Sequence, residues 1–457
     1  MTRRQLVSLT GCWISSAALR ASDQSASPPG NASDADITLR IGETTAELAP
    51  GRSIKTVAYN GQVPGPLLRA TEGKSIAVDI FNDTREPQMV HWHGLHIPPD
   101  VDGAHEEGTP HVQPNDHRRY VFTPRPTGTR WYHAHGAAGR NLHKTTYSGQ
   151  FGMLVVDPKN GDPSNGAGSG QYDLEIPIIL HEWDGYFTSD GDIDYKLFSI
   201  NGKMLGAGEP IRVRRSQRVL FRFLNASATM SHRLALPGHK FNVIALDGNT
   251  LASPRTVPIL DLAPAERVDA FVEMDQPGVW ILGELLQPQR SAGMGIVVEY
   301  AGERGAPRWI SPAPFTWDYT FFGTGFGAAV DPSKAAPEPD GRFPIVIRPG
   351  SGHQWTLNGK SFPHTETMVV KENRRYRLIF DNQSAEAHPL HLHRHTFELT
   401  KFDGKPTAGV FKDTVVVPAW KQVEVDVTTY SPGPTLMHCH QQFHMDFGFM
   451  MMMQYSG

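Results

Sequence analysis

Along most of the chain apolar and polar residues alternate in short runs, as in Ser75-Ile-Ala-Val-Asp-Ile-Phe81, Arg218-Val-Leu-Phe-Arg-Phe223 and Gln422-Val-Glu-Val-Asp-Val427. A period of two sends successive side chains to opposite faces, so each run predicts a β-strand with one packed and one wetter face. The runs belong to a pattern that occurs three times. Each copy opens on an Asn-Gly turn (Asn60-Gly61, Asn201-Gly202, Asn358-Gly359) and closes a strand on Asn82, Asn225 or Asn382, 22, 24 and 24 residues later. A further strand, starting at Arg119, Arg267 or Gln422, leads to a Gly/Pro turn and one more strand. Many short strands, frequent turns and few helical periods predict an all-β chain of three β-sandwich domains. Their boundaries fall at residues 35–160, 171–302 and 342–457, after a leader and polar tail at 1–34. Residues 161–170 and 303–341 read as linkers, and Trp317, Tyr319, Phe321 and Phe322 in the second are expected to pack on a neighbouring domain.

Composition works mainly by exclusion. A formal net charge of −4 over 457 residues provides no basic field for nucleic acid, and no apolar run is long enough for a stable membrane span. Arg3-Arg4 ahead of a mildly apolar segment resembles a twin-arginine export signal, which predicts a periplasmic or secreted protein. Leu9-Thr-Gly-Cys12 also has the look of a lipoprotein cleavage box, though the apolar run before it is very short. Once the leader is removed, Cys439 is the one cysteine left, so no intramolecular disulfide can form and the thiol has another use.

Histidine separates the repeats. Nine and eleven residues beyond Asn82 stand His91 and His93, and the same offsets from Asn382 reach His391 and His393. From Asn225 they reach Leu234 and Leu236. Five and seven residues beyond Gly128 and Gly433 stand His133, His135 and His438, His440, whereas Gly278-Val-Trp-Ile-Leu-Gly-Glu284 has none. Domains one and three thus carry two His-x-His pairs each, which predicts one metal cluster between them with domain two as spacer. Imidazole serves copper, zinc and iron alike. His388, Cys439 and His444 break the tie, because His₂Cys is the donor set of a blue-copper electron-transfer site. A zinc site would leave the lone cysteine unexplained. In extended backbone His438 and His440 share one face and Cys439 takes the other, so one strand can serve two sites joined by a few covalent bonds.

The motifs His91-Trp-His-Gly94, Trp131-Tyr-His-Ala-His135, His388-Pro-Leu-His-Leu-His393 and His438-Cys-His-x-x-x-His444 resemble the four copper signatures of the multicopper oxidases. Asn60-Gly-Gln-Val-Pro-Gly-Pro66, Leu262-Ala-Pro-Ala-Glu-Arg-Val-Asp269 and Lys412-Asp-Thr-Val-Val-Val-Pro418 are similar to linking motifs of laccase-like, three-domain members. The resemblance implies cupredoxin-like Greek-key sandwiches and four copper ions. His388, Cys439 and His444 would hold a type 1 copper. His91 and His391 would hold a type 2 copper. His93, His133, His135, His393, His438 and His440 would hold a type 3 pair. It further implies one-electron oxidation of small phenolic or aromatic donors through the edge of His444, with O₂ reduced to water at the cluster.

Other positions follow or depart from that family's pattern. Asp102 aligns with an acidic residue that assists proton delivery, while His96, Asp100 and His143 are expected to be structural. Ten residues past Cys439, Phe449 stands at the axial position, with Met450 one residue away. The acid that bacterial members often carry after the second type 1 histidine is replaced by Met445, followed by Asp446. The segment from Gly136 to Tyr147 is longer than is usual. A metal-ion oxidase for Cu⁺, Fe²⁺ or Mn²⁺ is the alternative function, and a cupredoxin-fold scaffold without copper is a rival of another class. A two-domain nitrite reductase conflicts with three repeats. The chain needs no partner to complete its cluster, so a monomer is expected.

Overall fold

A computed structural model of the chain describes residues 35–159, 171–189, 191–323 and 338–456. The arginine pair, Cys12, residues 161–170 and residues 324–337 lie outside the described residues. The described strands form six sheets, two from each repeat. The first repeat yields two four-stranded sheets, and the second and third each yield a six-stranded and a five-stranded sheet. The fold is all-β, as the alternation predicted. The strand Arg375–Asn382 shows why. Tyr376, Leu378, Phe380 and Asn382 are buried, while Arg375 and Arg377 stay on the wetter face and bond Asp426 on the neighbouring strand at 2.8 and 2.7 Å.

The repeated asparagines perform the same work in each copy. Asn60, Asn201 and Asn358 take left-handed backbone angles (φ of 53°, 52° and 53°), which asparagine tolerates better than most residues. Asn82, Asn225 and Asn382 are buried and pin the loop that follows. Their Nδ2 groups donate to the carbonyls of Glu86 and Val112, Met230 and Leu262, and Glu386 and Val417, at 2.7–3.1 Å. Each such bond contributes roughly 1 kcal/mol, and losing the asparagine would strand buried carbonyls at greater cost. In the first and third copies the pinned loop delivers the chain into the strands Val90–His93 and His388–Leu392.

One apolar core runs through the second and third sandwiches, and a separate one fills the first. Tyr319 and Phe322 of the second linker are buried in the former, with Trp317 and Phe321 packed against it. The Tyr319 hydroxyl donates to the Glu266 carboxylate and its ring meets Phe402 edge-on at 5.3 Å. These aromatics pack between sandwiches, as expected. No helix among the described residues is long and apolar enough to cross a membrane.

Candidate metal centre

Two antiparallel strand pairs build the histidine cluster. Val90–His93 pairs with Gly128–Ala134, setting His91 opposite His133, and His388–Leu392 pairs with Thr435–Cys439, setting His391 opposite His438. The pairs meet with imidazoles interleaved: the His93 and His391 rings stack at 3.7 Å, and His91 and His393 at 4.0 Å. All eight histidines are buried, His135 being the most exposed at 7 %. Three sets bring one nitrogen each within 4.8 Å of the others: His91, His93 and His391; His93, His133 and His440; and His135, His393 and His438.

The donor atoms fit metal ions. His91 and His391 hold Nδ1 against the carbonyls of Asp102 and Asp413 at 2.9 and 2.8 Å, leaving both Nε2 atoms buried without a protein partner. His133 Nδ1 is likewise tied to the Ala134 carbonyl, and the Nε2 atoms of His133 and His135 are unpartnered. Fixing one ring nitrogen by hydrogen bonding and aiming the other inward is how proteins orient metal-ligating histidine. Burial pushes His93, His133, His135, His391, His393 and His440 well below the ordinary imidazole range, and His438 down to about 4. These imidazoles are neutral at pH 7, the state a ligand requires.

On the other face of the same strand, Cys439 Sγ lies 3.5 Å from His444 Nδ1 and 3.9 Å from His388 Nδ1. The two Nδ1 atoms are 3.2 Å apart, and a cation between them would satisfy both. The helix Gln442–Asp446 turns the chain back so that His444 reaches the sulfur. His388 Nε2 is held 3.0 Å from the Ser384 hydroxyl, and His444 Nε2 is 3.1 Å from the Glu386 carboxylate. Burial pushes the Cys439 thiol far up, so the thiolate needs a cation beside it. Phe449 is fully buried with its ring 4.9 Å from His388, whereas Met450 pairs with His438 on the neighbouring strand.

Asp102 ends the short helix Pro99–Asp102 with its carboxylate 2.9 Å from His393 Nδ1 and 3.1 Å from His91 Nδ1. His96 bonds Thr396 and Tyr430, His143 sits exposed on its loop, and neither belongs to a converging donor set among the described residues. Asp446 accepts N–H bonds from Ala138 and Gly139 at 3.0 and 2.7 Å, clamping the long 136–147 segment onto the His444 helix. Its burial raises its pKa to about 7.

Two acids escaped residue counting. Glu107 accepts the Leu436 N–H, pairs with Arg394 and lies 3.4 Å from His393. Burial, with Asp102 adding to it, lifts its pKa well above the carboxylate range. Asp413 lies 3.1 Å from His93 Nε2 and is gripped by Arg267 of the middle sandwich at 2.8 Å. Burial alone would raise the Asp413 pKa, but the Arg267 charge outweighs it and holds the group ionised. The middle sandwich is therefore wired into the cluster's surroundings. Charged residues in the strand Arg267–Glu273, otherwise apolar and buried, were the available signal.

A stacked set of buried imidazoles back to back with a buried His₂Cys set defines a metal-dependent redox protein of cupredoxin-like sandwiches. Three family descriptions, each of multicopper oxidases, match residues 40–161, 187–292 and 338–456. The multicopper oxidase MmcO of Mycobacterium tuberculosis is 31% identical over 437 residues, covering 87% of this chain and 82% of that protein. Laccase-3 of Thanatephorus cucumeris is 27% identical, covering 89% of each chain. The solved multicopper oxidase of Campylobacter jejuni, described as a metallo-oxidase, shares the fold with a TM-score of 0.71 at 21% identity, covering 92% of each chain. The chain belongs to the multicopper oxidase family. It is a copper-dependent oxidoreductase with O₂ as acceptor.

Proposed function

We propose that the chain is a laccase-like oxidase that takes single electrons from small phenolic or aromatic donors beside His444. The observation that carries this is a cavity of about 400 Å³ lined by His444, Trp355, Phe443 and Met230. That volume suits one substituted ring, and aromatic and thioether walls bind such a ring by contact. Glu386 lies in the same wall, bonded to His444, where it can accept the proton a phenol sheds on oxidation. Asp192 shares the cavity, and two carboxylates favour a second reading, a metal-ion donor.

In this reading His388, Cys439 and His444 hold one copper, His91 and His391 a second, and the sets His93, His133, His440 and His135, His393, His438 one each of a pair. Bound copper supplies one-electron acceptance at the first site and four-electron reduction of O₂ at the second. The chain supplies the rest. Phe449, buried beside His388, offers no ligand atom, so a copper held by His388, Cys439 and His444 would gain no fourth ligand from it, which would favour a high potential. The Cys439 backbone joins both sites through a few covalent bonds. Asp102, within reach of His91 and His393, relays protons to the oxygen side. Three domains at 35–160, 171–302 and 342–457, a monomeric state and twin-arginine export to the periplasm or beyond complete the proposal.

Metal analysis of active protein should give four coppers per chain, and steady-state rates on a methoxyphenol should exceed those on Cu⁺. A faster rate on Cu⁺ would favour the metal-ion reading, and copper-free protein with full turnover would defeat both.

A further inference from the structure

The middle sandwich carries a histidine at the place of His388, hidden from residue counting because its loop is one residue longer. In the third domain His388 opens its strand and Leu390 faces Cys439. In the middle domain His232 opens the strand His232–Ala235 and Leu234 faces Glu284. Leu234 is thus the counterpart of Leu390 and not, as counting from Asn225 implied, of His391. The match continues outward. The Cys439 N–H donates to the Phe449 carbonyl at 3.1 Å, and the Glu284 N–H to the Met294 carbonyl at 3.0 Å. The helices Gln442–Asp446 and Gln287–Ser291 each start three residues past those positions. The Ser384 and Ser227 hydroxyls lie 3.0 and 3.1 Å from the Nε2 of His388 and His232.

The middle version replaces an external cation with an internal one. His232 Nδ1 lies 3.2 Å from the Glu284 carboxylate and Nε2 lies 4.0 Å from that of Glu182, with all three side chains buried. The carboxylates face opposite edges of one ring, an arrangement that suits an imidazolium and converges on no ion. The cluster also reaches the neighbouring domain. Glu182 accepts the Thr229 N–H at 3.2 Å, the Tyr195 hydroxyl lies 2.8 Å from Thr229 Oγ1, and the Ala228 carbonyl accepts the N–H of Gln442 at 2.9 Å. Gln442 heads the helix that carries His444, and Thr229 and Met230 line the cavity beside it.

We propose that the Glu182–His232–Glu284 cluster is a positioning device for the electron-donor site, fixing the Ala228–Met230 wall against which an aromatic donor fits. This rests on the reading of that cavity as the donor site. The test compares wild type with His232→Gln and with His232→Gln/Glu284→Gln, which keeps the buried charge balance and so protects folding. In copper-loaded protein the KM for a dimethoxyphenol should rise about ten-fold, with kcat, the thiolate–copper absorption and the KM for ferrocyanide unchanged. Amide hydrogen exchange should quicken at Ser227–Met230 in the same variants. An unchanged phenol KM in a folded variant would overturn the proposal, as would a parallel fall in kcat and absorption, which marks a merely structural role. Met230→Trp narrows the cavity directly and separates the two failures. If it leaves the phenol KM unmoved, the cavity reading itself is wrong; if it raises KM where the His232 variants do not, the positioning role alone is wrong.

Discussion

His388 and His232 stand at the same point of the same strand frame, yet their surroundings drive them in opposite directions. Burial, with His444 beside it, pushes His388 well below the ordinary imidazole range. Burial works against protonation of His232 too, but Glu182 and Glu284 outweigh it and lift the group to about 9. The difference lies in what sits across the strand. A thiol invites a soft cation from outside, whereas a carboxylate makes the histidine itself the cation. The sandwich, its turns and its pinning asparagines are neutral about metal. Two or three side chains decide.

That contrast can be broken from either side. The largest effect is expected from Cys439→Ser, which should abolish absorption near ~600 nm and cut turnover by roughly 10³-fold or more. Oxygen uptake that survives this change would sink the two-site reading. In the middle domain the test is pH. A raised folded-state pKa gives stability that is complete below the unfolded value near ~6.5 and is lost as pH rises through the folded value, here about 9. The loss amounts to about 3 kcal/mol. Urea midpoints taken on either side of that window should fall further for wild type than for His232→Gln/Glu284→Gln, and equal falls would show that His232 is not charged.

Smaller effects sharpen the picture. Asp102→Asn should slow oxygen uptake about 10²-fold while a donor bleaches the blue absorption anaerobically at the wild-type rate. Slower bleaching would place Asp102 on the donor side instead. Glu386 is half-exposed, so Glu386→Gln should change the phenol KM by no more than about three-fold, checked by steady-state kinetics at several ionic strengths.

The strands and the eight histidines of the four His-x-His pairs were legible because each obeys a local rule, whereas His388, Cys439 and His444 were singled out by their donor set. Alternation marks a strand, and His-x-His at matched offsets marks a shared face. Glu107 and Asp413 were not legible, since their roles come from residues that chain distance conceals: His393 and Arg394 for one, Arg267 and His93 for the other. His232 was hidden differently. One additional loop residue defeats counting, and only hydrogen-bonded register restores the correspondence.

The grip of Arg267 on Asp413, which in turn touches His93, ties all three sandwiches to one buried point. Leaving either charge without the other would cost several kcal/mol, so the packing of the first and third domains around their imidazoles depends on the middle one. The chamber is therefore braced by a sandwich that contributes no residue to the converging donor sets found among the described residues.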